Sequence, residues 1–148
     1  MMNDFPTRVL AIDGSEEAEL ALQTAVSLAR STGSEMHVVH GEHVDEGIPN
    51  PAEVLKRDVE RTEQQAQHFL DRQVQRIRDE GVVVGEPHFR RGRPADEIVK
   101  LGEELRVGLV VMGSRGLGGI RRALMGSVSD SVIRHAPCPV MKVCEPVR

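Results

Sequence analysis

Apolar positions along the chain recur in two rhythms, short unbroken runs and longer stripes spaced by three and four, and these alternate from one end to the other. Arg8-Val9-Leu10-Ala11-Ile12 is a run of β-formers halted by Asp13-Gly14-Ser15, which is turn and cap chemistry, and it predicts a first strand. Ala18, Leu22, Ala25, Val26 and Ala29 then recur at helical spacing, with Ser15 as N-cap, Glu16 and Glu17 at the positive end of the dipole, and Gly33 as a left-handed stop. Met36–Val39 predicts a second strand, and the segment from Gly41 to Pro51, with two Gly and two Pro, predicts a loop. A long polar helix follows, with a single stripe of Leu55, Val59, Ala66, Phe69, Leu70, Val74 and Ile77, ending at Gly81. Val82-Val83-Val84, with Phe89 beyond, predicts strand three. Pro94 opens a helix marked by Ile98, Leu101 and Leu105, and Val107 to Met112 predicts strand four. A helix over Val128–His135 and a last strand over Pro139–Val143 complete the series, with Pro137 and Pro139 stopping the helix.

The order βαβαβαβαβ, with strands apolar on both faces, predicts an α/β fold: a five-stranded parallel sheet with helices on both faces, Rossmann-like in architecture. A chain of 148 residues, 39% hydrophobic and 28% charged, is read as one domain over residues 1–148, large enough to be held by its core without disulfides or a structural metal. With 19 basic against 23 acidic residues, the net charge of −4 gives no general attraction to nucleic acid or anionic membranes. Three Phe and no Tyr or Trp leave no stacking platform for single-stranded nucleic acid. No apolar stretch approaches the ~20 residues of a membrane span, and Met1 to Pro6 has neither a basic nor an apolar export region, so a cytoplasmic protein is expected. Cys138 and Cys144 fit neither a zinc motif nor a redox pair and are read as reduced thiols.

Ligands of open α/β sheets bind beyond the carboxyl ends of strands, where the winding reverses. Two loops qualify. Strand one ends at Asp13-Gly14-Ser15. Strand four runs into a segment in which Gly113, Gly116, Gly118, Gly119 and Gly126 place five of the fourteen glycines within fourteen residues. Missing side chains let backbone N–H groups close on a ligand. Gly126-Ser127-Val128-Ser129 leads into a helix whose unpaired N–H groups and dipole favour an anion, with two hydroxyls as further donors. Arg115, Arg121 and Arg122 offer the local positive charge for phosphate. Ser127 followed by Asp130 fits a capping box equally well, which needs no ligand. The chain's three lysines, Lys56, Lys100 and Lys142, lie in no Gly-rich segment, so a Walker loop is excluded. Asp13-Gly14-Ser15 does not supply a dinucleotide fingerprint either.

Gly113-x2-Gly116-x9-Gly126-Ser127 resembles the ATP-binding signature of the universal stress protein family. The resemblance spans nearly the whole chain: Val9 to Ser15 is similar to the family opening, Gly92-Arg93-Pro94-Ala95 to the start of its third helix, and His135-Ala136-Pro137-Cys138-Pro139-Val140 to its ending. It implies strand order 3-2-1-4-5, as in adenine nucleotide alpha hydrolase-like folds, with the reversal between strands one and four. It also implies an ATP ligand with Mg²⁺, and a homodimer formed through the last strand region. Carried over by motif, Ala11, Ile12, Asp13 and Gly14 with His40 and Gly41 belong to the adenine side. Met112, Gly113, Arg115 and Gly116 frame the nucleoside and inner phosphates, and Gly126, Ser127, Val128 and Ser129 hold the phosphate tail. His40-Gly41 and Gly108 depart from the family pattern, which is usually apolar at the first place and Asp at the second.

The resulting expectation is an ATP-binding, nucleotide-dependent regulatory module in the stress response, with binding rather than turnover as its business and no catalytic residues assigned. Two alternatives stand beside it: a nucleotidyl- or phosphotransferring enzyme on the same fold, and a dimeric interaction protein that needs no nucleotide. No metal-ligand set is expected, because His37 and His43 face one side of an extended chain and His40 the other. Arg90-Arg91-Gly92-Arg93 is read as a solvated basic loop in preference to a phosphate contact.

Overall fold

The computed structural model describes residues 8–13, 16–43, 54–113 and 127–144. Among the described residues nine elements alternate: β1 (Arg8–Asp13), α1 (Glu16–Thr32), β2 (Glu35–His43), α2 (Val54–Asp79), β3 (His88–Gly92), α3 (Pro94–Leu105), β4 (Leu109–Gly113), α4 (Ser127–His135) and β5 (Val140–Val143). The strands form one parallel sheet in the order β3-β2-β1-β4-β5.

Alternation along the central strands divides the core in two. Met36 and Val38 of β2 and Leu109 and Val111 of β4 join Ala21, Leu22 and Ala25 of α1 and Leu70, Val74 and Ile77 of α2. Val39, Val110 and Met112 point the other way, onto Ile98 and Leu101 of α3 and Val132 of α4. One helix pair therefore covers each face of the sheet, which is what strands buried on both sides require. Gly33 and Gly81 close α1 and α2 at φ 72° and 89°, in the left-handed region where a Cβ is costly. Pro94 occupies the first turn of α3, where its missing N–H goes unneeded.

Four sequence expectations change. Val82-Val83-Val84 is not strand three: only Val84 bridges to Met36, and Val83 is 66% exposed. The third strand is His88–Gly92 instead, polar because it lies at the sheet edge with one neighbour. The second strand does not end before Gly41 but continues to His43, since Gly41, Glu42 and His43 pair with Arg90, Arg91 and Gly92. The basic run thus lies largely in β3 and is not a solvated loop, and Arg90 is paired with Glu104 at 2.7 Å and Glu97 at 4.0 Å. Phe69 leaves the α2 stripe, at 39% exposed, because Leu70 takes the inward position beside it. Ser15, the expected cap of α1, lies outside the described residues.

Candidate functional site at the carboxyl ends of the strands

Sheet register sets the site. β1 pairs with β2 so that Asp13 lies beside His40, and β2 pairs with β3 so that His40 lies beside Phe89. β1 and β4 pair at Ala11 and Val111, which brings their final residues, Asp13 and Gly113, to the same end of the sheet. Gly113 in turn lies beside Val143 of β5. From β1 the chain winds outward through β2 to β3, then crosses back over to β4 on the other side of β1. The reversal falls between β1 and β4, and the helices that follow these strands, α1 and α4, pack on opposite faces of the sheet, the arrangement at which open α/β sheets bind ligands. A helix joining parallel strands runs antiparallel to them, so α4 begins at this same end.

The sequence-nominated residues separate by what each offers. Ala11, Ile12, Asp13, Gly41 and Gly113 are placed at the carboxyl end by strand pairing alone. Met112 is 1% exposed and packed in the second core cluster, so its side chain is structural and only its backbone can face a ligand. Val128 packs against the same cluster, and Ser129 is 1% exposed, which turns it inward instead of presenting an open hydroxyl. Asp130 is exposed. Gly14, Arg115, Gly116 and Gly126 lie outside the described residues, as do Arg121 and Arg122. Ser127 is described as the first residue of α4.

His40 is the most informative of these positions. Its ring stacks on Phe89, with centroids 5.9 Å apart and planes 18° from parallel. Its Nδ1 is buried yet has no hydrogen-bond partner among the described residues. A buried polar atom without a partner costs free energy unless water or a ligand satisfies it. The His40–Phe89 pair therefore forms an aromatic wall with one unspent polar atom, next to Asp13. Sequence reasoning missed Phe89, because a lone aromatic beyond a Val run carried no sign that it would stand opposite His40.

Among the described residues no group of three or more His, Cys, Asp or Glu side chains could hold a metal. No described helix is long and apolar enough to cross a membrane. Cys138, half-buried, has its thiol pushed up by burial, partly offset by a hydrogen bond with the Val110 backbone, and it is less reactive for that; Cys144 is exposed.

Comparison with known proteins agrees with this architecture. Residues 7–143 match the model of the universal stress protein family. A universal stress protein of Thermus aquaticus, named for its position in the QAH/OAS sulfhydrylase 3' region, is 35% identical over 147 residues, covering 94% of this chain and 98% of that protein. Among solved structures, UspA of Lactobacillus plantarum superposes with a TM-score of 0.79 at 22% identity, over 92% of this chain and 96% of that one, a likeness of fold. The universal stress protein of Archaeoglobus fulgidus in complex with dAMP has a TM-score of 0.62 at 28% identity, covering 92% and 95%. The chain belongs to the universal stress protein family.

Proposed function

We propose that this protein binds ATP, with Mg²⁺, in the crevice between β1 and β4, and serves as a nucleotide-dependent regulatory module of the cytoplasm. The observation that carries the reading is the row Phe89, His40, Asp13 and Gly113 at the winding reversal, with the His40 Nδ1 buried and without a hydrogen-bond partner among the described residues. The A. fulgidus relative's complex with dAMP supports an adenine nucleotide as the class of ligand.

On this reading Ala11, Ile12, Asp13 and Gly14 receive the adenine side together with His40 and Gly41. The Met112 backbone, Gly113, Arg115 and Gly116 frame the nucleoside and inner phosphates. The backbone amides of Gly126, Ser127, Val128 and Ser129 hold the phosphate tail, where a helix start concentrates unpaired N–H groups and positive dipole. The orphaned imidazole nitrogen fits a ligand rich in ring nitrogens and hydroxyls. On this reading binding is the function, and slow ATP hydrolysis, where it occurs, is incidental or regulatory. β5 is an edge strand, and pairing it across two subunits covers backbone that would otherwise template aggregation.

A thermal-shift titration tests the reading. Saturation at a hundred times Kd adds about 2.7 kcal/mol, or roughly 2–4 °C for each kcal/mol in a domain of this size. ATP with Mg²⁺ is expected to give that shift. Gly126→Val is expected to abolish it while leaving a folded dimer of twice 16.3 kDa by sedimentation, because a side chain would occupy the space of a phosphate oxygen. A folded Gly126→Val protein that keeps the shift contradicts the phosphate assignment; no shift in the wild type favours the nucleotide-independent interaction protein.

A further inference from the structure

Along the outer strands β2 and β3, on the amino-terminal side of His40 and Phe89, three side chains form a chain of hydrogen bonds that the nucleotide site does not use. His37 is 6% exposed and uses both ring nitrogens. Its Nε2 lies 2.6 Å from Glu35 Oε1, and its Nδ1 lies 3.4 Å from His88 Nε2. Gly85 lets the backbone lie flat on the ring, since a Cβ there would sit 2.5 Å from His37 Cε1. The ring centroids of His37 and His88 are 5.6 Å apart, which exceeds the spacing of the facing nitrogens by nearly a full ring width. The two nitrogens therefore point at one another end-on. That is the geometry of a shared proton, not of two ligands bent around an ion.

Glu35 accepts a hydrogen bond, so His37 Nε2 carries a proton. With the pair neutral, His88 Nε2–H donates to His37 Nδ1. With one proton added, His37 Nδ1–H donates to His88 Nε2. Both states keep the bond. A second added proton leaves two N–H groups and two positive charges facing each other, and no arrangement in place satisfies them.

We propose that Glu35, His37 and His88 form an acid-sensitive latch that holds the first residue of edge strand β3 against β2 while the histidine pair carries no more than one extra proton, and releases it when the pair takes up a second. Among the other charged groups around the pair, those that favour added charge are outweighed by those that oppose it. Glu35 is shared between His37 and Arg8 of β1, whose Nε is 3.9 Å away and whose Nη1 donates to the Leu105 carbonyl at the end of α3. Arg90 of β3 adds a positive charge that opposes a further one on His88, and Glu104 and Glu97 of α3 are engaged by that arginine. Glu86, in the segment before β3, and Glu104 of α3 favour the charged imidazole, but burial, His37 and Arg90 outweigh them and His88 is held below its ordinary value. Phe89, the next residue, carries the stack on His40, so the latch is one position away from the far wall of the candidate site.

The test is a pH titration of the full-length protein without nucleotide, followed by ¹⁵N resonances of the imidazoles and by backbone amide signals. The wild type is expected to show protonation of the pair in two coupled steps more than about one pH unit apart, with Nε2–H tautomers on both rings at neutral pH. The second step is expected to coincide with loss of β3 amide signals at His88–Gly92, while β4 signals persist. His88→Gln is expected to remove the acid-induced change in β3. Two independent, uncoupled curves in the wild type would overturn the proposal, as would β3 signals that survive the second step. Should His88→Gln not fold, the wild-type curves alone decide.

Discussion

Arg106 closes α3 at φ 50° and ψ 49°, a left-handed conformation that its backbone N–H makes useful by reaching the Gly102 and Glu103 carbonyls. A side chain there costs about 1–2 kcal/mol relative to glycine, so Arg106→Gly is expected to raise the melting temperature by a few degrees, as calorimetry would show; an unchanged or lower value would mean the arginine makes a compensating contact. His88 gives stability a pH dependence. Its folded-state value is lowered from 6.5, first by burial and then by His37 and Arg90. The unfolded chain thus binds more protons than the native one near and below 6.5, so stability is full above that pH and declines as pH falls towards and through the lowered value. Melting temperatures measured from about pH 8 down to 5 should show this decline, and His88→Gln should flatten it. Neither residue announces itself in sequence. Arg106 is not a glycine, and His37 and His88 are 51 positions apart.

At the scale of elements, the helices were legible and the strand boundaries less so, for a physical reason. Leu70, Val74 and Ile77 are buried at the spacing their stripe predicts, because one face of a helix must meet the sheet whatever lies beyond it. A strand is completed by a partner distant in sequence. Val82-Val83-Val84 has the local preference for extension but bridges only once, whereas His-Phe-Arg-Arg-Gly pairs along its whole length as an edge. Gly41 reads as punctuation and yet sits inside β2 opposite Arg90. The helix pair over the second face can be tested separately from the site. Leu101 of α3 is fully buried with Val132 of α4, and Leu101→Ala is expected to cost about 2–5 kcal/mol by cavity formation. Denaturant titration measures that loss. Nucleotide affinity well below the midpoint should be retained, because strand register rather than α3 places Asp13 and His40; lost affinity in the folded variant would tie the site to α3.

For the molecule as a whole, the candidate site was legible as far as backbone geometry carries it. Asp13-Gly14-Ser15 and the Gly-rich stretch after Met112 mark two strand ends, and the sheet order brings those ends to one crevice. What could not be read in advance was the division of labour among side chains: Met112 and Ser129 are turned into the protein, while His40, stacked on Phe89, has a buried nitrogen without a partner among the described residues. The proposed phosphate cradle of main-chain amides is compatible with an overall charge of −4, since attraction at a helix start is local. Isothermal calorimetry of the nucleotide-free protein, titrated with ATP in the presence of Mg²⁺, tests this most directly. One saturable site per chain, weakened when His40 is replaced by Ala and lost when Gly126 is replaced by Val, is the predicted result; absence of saturable heat from a folded wild-type protein would contradict it.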